Sequence, residues 1–363
     1  MTELALEVRD LNYAIPDRGW RWTRRSKQRR VIFDGIDLRV SRGSAVALLG
    51  PSGEGKTTLL RAIAGFVPEV VGKILMDGAL VGDVPPWKRP LSMLYQNPTL
   101  HAHLSVENNA LLSKPDAVSD AAARSEVKRL AKAFQCDHLL ARRADATLSG
   151  GEVQRAALVR AFAYSKRLLL LDEPLKSALN LELRWELMEA IKQEAGAKGL
   201  SLVVVTHSFD EASVLCDQMA VMSGGKISQG TADALYNSPP TLAVAQVLGN
   251  LNLYELSRLR TGPEPPPIPW RDPLRLAPAE AEYAACRPSA VHLSPGVAFE
   301  VKERSFLGDF VRVVAEHPVT GLQVQATTPL GSIDNLDRVA VQIPAESWLF
   351  FDKSGNRIQA ILE

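Results

Sequence analysis

The sequence predicts an α/β protein with a large N-terminal part built on a parallel β-sheet and a smaller all-β part at the C-terminal end. Three continuous apolar runs lie at residues 45–49, 168–171 and 202–205; the first leads into a glycine-rich segment, and the other two lead directly into polar residues. Such runs are typical of strands that are buried on both faces of a parallel sheet. Residues 298–315 and 322–326 instead alternate between apolar and polar side chains, which predicts short antiparallel strands and a small barrel-like fold.

The first apolar run is followed by a phosphate-binding motif. Residues 50–57 fit the pattern G-x-x-x-x-G-K-T, and a helical apolar pattern starts at Thr58. Glycines let the backbone turn tightly and direct N–H groups at phosphate oxygens, while the lysine reaches the β- and γ-phosphates and the threonine hydroxyl binds Mg²⁺. We therefore predict that ATP and Mg²⁺ bind at Gly50, Pro51, Ser52, Gly53, Gly55, Lys56, Thr57 and Thr58.

A second glycine-rich helix start lies at residues 148–152, Leu-Ser-Gly-Gly-Glu. Ser149 is a natural helix N-cap, and Gly150 and Gly151 leave backbone N–H groups bare at the positive end of a helix. This arrangement predicts a second anion site, and an ordinary capped helix is the alternative. A second phosphate site makes sense in a domain that binds one ATP if it serves a nucleotide held by another copy of the chain.

Polar residues at the ends of the other apolar runs are candidates for catalysis. Asp172 and Glu173 follow the run at 168–171, at the strand end where open parallel sheets bind ligands. Asp172 suits Mg²⁺, and Glu173 is then placed to polarise the attacking water. His207 follows the third run and is predicted to contact the γ-phosphate. Gln96, after another apolar segment, is a weaker candidate for Mg²⁺ or water.

Together these segments resemble the ATP-binding subunit of an ABC transporter over about the first 240 residues. Residues 50–57 match the Walker A motif, residues 168–172 match Walker B, and residues 148–152 match the LSGGE signature. Gln96 takes the place of the Q-loop glutamine, Glu173 of the catalytic glutamate and His207 of the switch histidine. The resemblance implies a head-to-tail dimer in which each of two ATP molecules lies between Walker A of one copy and the signature of the other.

The chain departs from this family at two places. The family's D-loop reads S-A-L-D soon after the Walker B Glu-Pro, whereas this chain has Lys176-Ser177-Ala178-Leu179-Asn180, with one extra residue and Asn in place of Asp. The family also places an aromatic residue under the adenine. Tyr13 fits by context, with Trp20 and Trp22 as alternatives, and residues 21–30 resemble an insertion in a β-hairpin. The basic run at residues 21–30 is predicted to be a solvated hairpin tip. The alternative is that it contacts lipid headgroups or nucleic acid.

Domain organisation follows from these motifs. We predict an ATP-binding domain at residues 1–240, with an N-terminal antiparallel β region and a helical subdomain at about 97–147. A C-terminal domain at residues 241–363 is expected to contain a Pro-rich loop at about 261–280. Residues 287–291, 307–309 and 350–357 resemble the oligonucleotide-fold-like TOBE domain found on ATPases that import sugars, polyamines, ferric iron, sulfate or molybdate. Without a basic, aromatic stacking face, this domain is expected to serve dimer contact or regulation rather than nucleic-acid binding.

Composition agrees with this interpretation. Lys and Arg total 42 and Asp and Glu total 41, so the chain as a whole lacks the excess of positive charge that is typical of nucleic-acid-binding proteins. Its three dispersed cysteines suit a reducing compartment. The resemblance implies an ATPase at the cytoplasmic face of the cell membrane. There it would power solute import through separate permease chains, served by an extracytoplasmic solute-binding protein, and residues 100–106 would receive the permease. A soluble ABC ATPase of translation or DNA repair and a mainly regulatory ATP-binding subunit remain as alternatives, while an exporter or a P-loop kinase fits less well.

Overall fold

A computed structural model of the protein describes residues 3–16, 29–145, 147–178, 180–261, 268–332 and 336–360. The chain divides into two compact units, and the boundary falls between Ala232 and Asp233. Trp20, Trp22 and most of the basic run lie outside the described residues, as do Leu179 and the prolines at 263 and 265–267.

The strands of the first unit are β1 (Leu4–Pro16), β2 (Arg29–Ser41), β3 (Ala45–Leu49), β4 (Val71–Met76), β5 (Ala79–Leu80), β6 (Leu91–Leu94), β7 (Leu168–Asp172), β8 (Ser201–Val205), β9 (Gln218–Ser223) and β10 (Lys226–Gly230). Its helices are α1 (Lys56–Ala64), α2 (Val106–Leu111), α3 (Asp120–Ala133), α4 (Gly150–Ala163), α5 (Leu181–Lys198) and α6 (Phe209–Leu215). No described helix has both the length and the apolar composition that crossing a membrane requires.

A six-stranded sheet forms the centre of this unit, in the order β10-β9-β3-β8-β7-β6. Strands β6, β7, β8, β3 and β9 run parallel, and β10 joins the edge as an antiparallel hairpin with β9. Every residue of β3, β7 and β8 is buried, which confirms the parallel sheet predicted from the three apolar runs. The C-terminal ends of these strands bring residues 50, 172 and 206 to one sheet edge.

A second sheet covers the first part of the chain, in the order β2-β1-β4-β5, with antiparallel pairing throughout. This confirms the antiparallel β region predicted near the N-terminus. Between β6 and β7 the chain is helical: α2, α3 and α4 share one core, in which Val127, Leu130, Phe134 and Phe162 are buried. The interval predicted to be a helical subdomain therefore contains helices α2 and α3.

Four short helices and eight strands lie among the described residues of the second unit. The helices are α7 (Ala232–Asn237), which starts at the boundary, α8 (Leu242–Val247), α9 (Leu256–Thr261) and α10 (Ile268–Leu276). The strands are β11 (Asn252–Glu255), β12 (Tyr283–Cys286), β13 (His292–Phe306), β14 (Phe310–Glu316), β15 (Gln323–Pro329), β16 (Arg338–Gln342), β17 (Leu349–Phe351) and β18 (Arg357–Ile358). They form two antiparallel sheets, β11-β12-β17-β18 and β15-β14-β13-β16.

The interval expected to be a Pro-rich loop differs from that expectation, because α10 occupies much of it. Pro269 is the second residue of α10, where a missing backbone N–H is tolerated, and Pro273 lies in the helix interior. Trp270 is fully buried and packs against Tyr254 and Phe299, with ring centroids 5.5 and 5.4 Å away. We attribute the helix to this burial, because an apolar side chain of this size stabilises a segment that its interior proline disfavours.

Candidate functional site

The loop between β3 and α1 can be built only with glycine at two of its positions. Gly50 has φ 152°, and a Cβ there would lie 2.4 Å from the backbone oxygen of Met222. Gly55, the N-cap of α1, has φ 101°, and its Cβ would lie 2.7 Å from Ile32 Cγ2. Both conformations are unfavourable for other residues. The loop therefore keeps a shape that directs the N-terminus of α1 and its free N–H groups at one point.

Lys56 is held against this loop. Its side-chain Nζ donates to the backbone oxygens of Gly50 at 2.7 Å and of Pro51 at 2.9 Å, and the residue is buried. Burial lowers the pKa of Lys56, while the carboxylates of Glu173 and Glu54 oppose part of that shift. The ammonium group therefore lies beside the position at which the motif predicts phosphate.

Thr57 and Asp172 meet at the start of α1. The Thr57 hydroxyl donates to Asp172 Oδ1 at 3.2 Å, and Asp172 is 1% exposed. Burial raises the pKa of Asp172, although the Thr57 hydrogen bond works in the other direction. Mg²⁺ prefers oxygen ligands and uses one or two protein groups besides phosphate oxygens and water. This hydroxyl–carboxylate pair fits that requirement, because a cation here would relieve the cost of the buried carboxylate.

Glu173 lies in a strained turn directly after β7. Its φ is +49°, and its backbone N–H donates to Val205 O at 3.0 Å. The carboxylate contacts three side chains: Gln96 Nε2 lies 2.6 Å and Lys176 Nζ 3.1 Å from Oε2, while His207 Nε2 lies 2.8 Å from Oε1. Burial pushes the pKa of Glu173 up, but the hydrogen bonds from Gln96 and Lys176 and the nearby charges outweigh it, so the pKa lies below 4.5.

These residues surround a cavity of about 480 Å³. Its wall also contains Ser52 of the phosphate-binding loop. The complete lining is Ser52, Gln96, Glu173, Lys176, Arg184, Thr206, His207, Ser208 and Glu211. The structure therefore brings the three predicted catalytic residues to one cavity next to the loop. The contact of Gln96 in this structure is with Glu173, so its predicted role toward Mg²⁺ stays a prediction.

The signature residues lie elsewhere. Ser149 caps α4: its hydroxyl accepts from the Glu152 N–H at 3.3 Å, and Glu152 Oε2 accepts from the Ser149 N–H at 2.7 Å. Gly151 borders a separate, smaller space shared with Arg155 and Leu175. A Cβ on Gly150 or Gly151 would make ordinary contacts of 3.5 Å or more. Packing within the chain thus leaves room for side chains at both positions.

Gln154 is a residue whose importance the sequence analysis missed. It is buried on α4, its Nε2 donates to Glu173 O at 2.8 Å, and its Oε1 accepts from the Ser177 N–H at 3.0 Å. One side chain on the signature helix therefore clamps both ends of the turn that carries Glu173. The feature that could have identified Gln154 is its position two residues after Glu152, on the buried side of α4.

Tyr13 lines another cavity of about 480 Å³, together with Arg29, Val31 and Phe33 of β2. The rings of Tyr13 and Phe33 are 5.8 Å apart, and Phe33 also reaches Gly55, where a Cβ would lie 3.3 Å from its ring. Arg30 Nη2 donates to Gly53 O at 3.2 Å. The predicted adenine-stacking residue is thus connected to the phosphate-binding loop through Phe33.

A sequence profile described as ABC transporter matches residues 33–176. The spermidine/putrescine import ATP-binding protein PotA of Bacillus cereus is 39% identical over 227 residues, which covers 62% of this chain and 68% of that protein. The chain belongs to the ABC transporter family. PotA of Roseobacter denitrificans is 41% identical over 228 residues, covering 61% of each protein. As an importer-type member, the chain is an ATP-binding, ATP-hydrolysing subunit.

Solved structures agree at the level of the fold. The dimeric ATP-binding cassette MJ0796 in a post-hydrolysis state, bound to ADP and phosphate, superposes with a TM-score of 0.55 at 21% identity. The superposition covers 62% of this chain and 98% of the cassette. The α/β fold with its antiparallel β region is therefore that of an ABC ATPase.

Proposed function

We propose that this chain hydrolyses ATP with Glu173 as the general base, at a site formed by residues 50–58, Gln96, Asp172 and His207. The observation that carries this proposal is the cavity in which Gln96, Glu173 and His207 converge beside Ser52. A γ-phosphate bound at the start of α1 would face this cavity. Water placed between that phosphate and Glu173 would be in line to attack, which is the arrangement that phosphoryl transfer requires.

The chain's own residues would share the work as follows. Lys56 exchanges its backbone oxygens for β- and γ-phosphate oxygens, and His207 turns from Glu173 toward the γ-phosphate. Glu173 accepts a proton from the attacking water at a carboxylate oxygen. The water oxygen bonds to phosphorus as the bond to ADP breaks. Thr57 and Asp172 would hold Mg²⁺, with Gln96 as a third ligand, and the bound ion would neutralise developing charge on the phosphates.

The signature residues are proposed to act on ATP held by a second copy. Ser149, Gly150 and Gly151 lie outside the cavity that contains Glu173, and neither glycine is required by packing within the chain. Glycine in a helix costs about 0.5–1 kcal/mol relative to alanine. Two glycines at the start of α4 incur this cost twice. Their presence is explained if a phosphate group and the backbone of a partner chain approach them closely. This supports the head-to-tail dimer implied by the family resemblance.

The transport role supplies the remaining partners. We propose that the dimer sits peripherally on the cytoplasmic side of a membrane and drives separate permease chains, which contact the segment near residues 100–106. The extracytoplasmic solute-binding protein would act through those permeases. Residues 241–363 are proposed to be the TOBE-like regulatory domain. The relatives named above import spermidine and putrescine, so polyamines are the first solutes to assay.

Replacing Glu173 with Gln tests the proposed chemistry. The amide keeps the size and one acceptor oxygen but loses the base, so we expect turnover to fall by about 10²- to 10⁴-fold while ATP affinity is retained. Steady-state phosphate release and calorimetric ATP binding would be measured on the full chain with Mg²⁺. An ATP-dependent dimer should accumulate in size-exclusion chromatography. Turnover within a few-fold of the unmodified chain would remove Glu173 from the role of base.

A further inference from the structure

The extra residue of the D-loop contacts the proposed catalytic base. Compared with the S-A-L-D pattern, Lys176 is the added residue before Ser177, and its Nζ lies 3.1 Å from Glu173 Oε2. The two residues are three apart in a turn closed by the Lys176 N–H, which donates to Glu173 O at 3.3 Å. The ion pair is therefore local, and the added residue is what places a cation there.

The contacts leave one oxygen of Glu173 saturated. A carboxylate oxygen accepts roughly two hydrogen bonds. Oε2 already accepts from Gln96 at 2.6 Å and contacts Lys176, whereas Oε1 contacts His207 alone among these three groups. A general base needs a free lone pair directed at its water. In this arrangement Oε2 has none until Gln96 or Lys176 withdraws, and the two contacts on Oε2 also fix the orientation of the carboxylate and so the direction in which Oε1 points.

Lys176 can withdraw from the Glu173 carboxylate. Its side chain is 51% exposed against 12% for Glu173, so its ammonium group can exchange the carboxylate for water. Exposed ion pairs contribute little net stabilisation, because water solvates the separated charges well. The pair can therefore restrain the carboxylate and still be broken by a small rearrangement of the turn.

The turn itself is connected to the signature helix. Gln154 on α4 donates to Glu173 O and accepts from the Ser177 N–H, so it clamps the residues on either side of Lys176. Any displacement of α4 when a partner's ATP binds at Ser149 would move these two backbone groups together. The contact between Lys176 and Glu173 is thus mechanically coupled to the proposed dimer site.

We propose that Lys176 is a positioning residue that tethers the Glu173 carboxylate and restrains hydrolysis until the composite site closes. This inference rests on the proposed role of Glu173 as the base. Lys176 acts through Glu173 and makes no contact with ATP in this scheme. The extra D-loop residue therefore slows ATP hydrolysis and is not a neutral insertion.

Lys176→Met tests the tether, because it keeps the length of the side chain and removes the ammonium group. We expect kcat for ATP hydrolysis by the full chain to rise by up to about fivefold, the largest effect that an exposed ion pair supports. KM for ATP should stay within about twofold. Lys176→Arg should return kcat toward the original value, since it restores a cation. Lys128→Met on α3 is the matched control, an exposed lysine outside the cavity lining.

The double variant Glu173→Gln/Lys176→Met separates this inference from the proposed function. If Lys176 acts through Glu173, the double variant should be as slow as Glu173→Gln alone. A lower or unchanged kcat in Lys176→Met, or an increase that persists without Glu173, would overturn the tether. Fast turnover by Glu173→Gln alone would instead overturn the assignment of the base. Lys176→Gln provides a second uncharged variant if thermal unfolding shows that Lys176→Met folds poorly.

Discussion

The phosphate-binding loop and the signature are both glycine-rich starts of helices, and they differ in why glycine is there. At Gly50 and Gly55 the backbone has positive φ, and a Cβ would collide with Met222 or Ile32. At Gly150 and Gly151 the backbone is helical and the nearest atoms are at 3.5 Å or more. The first loop is thus determined by contacts within the chain. At the second, no described contact within the chain requires glycine.

The same contrast holds for the charged groups. Lys56 is buried and satisfied by two backbone oxygens of its own loop. The polar groups at the start of α4 satisfy each other through the capping box of Ser149 and Glu152, with Ser149 exposed and Glu152 half-buried. One site is assembled in a single chain, and the other presents a helix end to the outside. A transporter ATPase that works as a composite dimer needs one surface of each kind.

Alanine substitution of one glycine in each loop should give the largest difference in stability between the two regions. Gly50→Ala is expected to lower the free energy of unfolding by about 3 kcal/mol, because strained backbone and a collision with a backbone oxygen are both costly. Gly150→Ala should change it by at most about 1 kcal/mol, and in the stabilising direction, because alanine favours the helix. Urea denaturation followed by circular dichroism measures both. Equal losses would show that the signature glycines are also required by internal packing.

ATP binding and dimerisation of two single variants test the difference between the phosphate-binding loop and the signature. Lys56→Ala should weaken ATP binding by roughly 10- to 100-fold, which corresponds to the loss of a charge-assisted hydrogen bond. Ser149→Glu should leave the affinity of the monomer unchanged and abolish ATP-dependent dimers, because its carboxylate would face a partner's γ-phosphate. Calorimetry at low protein concentration and light scattering with ATP give the two readouts. If Ser149→Glu weakens monomer binding but still dimerises, the signature acts within its own chain.

The smallest expected effect concerns pH and the cap of α4. Hydrogen bonding to the backbone and side chain of Ser149 lowers the pKa of Glu152 below 4.5, despite some opposing desolvation. A lowered pKa in the folded chain means that the stabilisation is present above the ordinary pKa and is lost as pH falls below it. Glu152→Gln keeps the capping geometry without a charge that titrates. Unfolding midpoints of the two proteins should therefore diverge at pH 7 and converge toward pH 3, and a constant difference across this range would contradict the assignment.

Much of the fold follows from patterns that are local in the chain. The apolar runs at 45–49, 168–171 and 202–205 predicted strands of a parallel sheet, and each is paired on both sides in that sheet. Gly224 and Gly225 form a dipeptide that is typical of hairpin turns, and they separate β9 from β10 with φ of 57° and 77°. Glycine conformations, capping residues and buried runs depend on neighbouring residues, so a single sequence is sufficient to infer them.

Other features depend on segments that meet only in the folded chain. The helical state of α10 depends on burial of Trp270 among Tyr254 and Phe299, whose distance along the chain hides the contact. The five prolines at positions 263, 265–267 and 269 made a loop the better local interpretation. Burial of a large aromatic side chain outweighed that local preference, and such burial is set by the whole core rather than by adjacent residues.

The candidate site shows the same division. The phosphate-binding loop is contiguous, so its residues and their chemistry could be predicted together from eight positions in a row. The surroundings of Glu173 could not, because Gln96, Gln154 and His207 reach it from separate elements. Even for the nearby Lys176 the sequence indicates only a departure from the family pattern, whereas the fold places its ammonium group beside the carboxylate. Local sequence specifies which groups are available, whereas the packing of the sheet and α4 determines which of them share an oxygen atom.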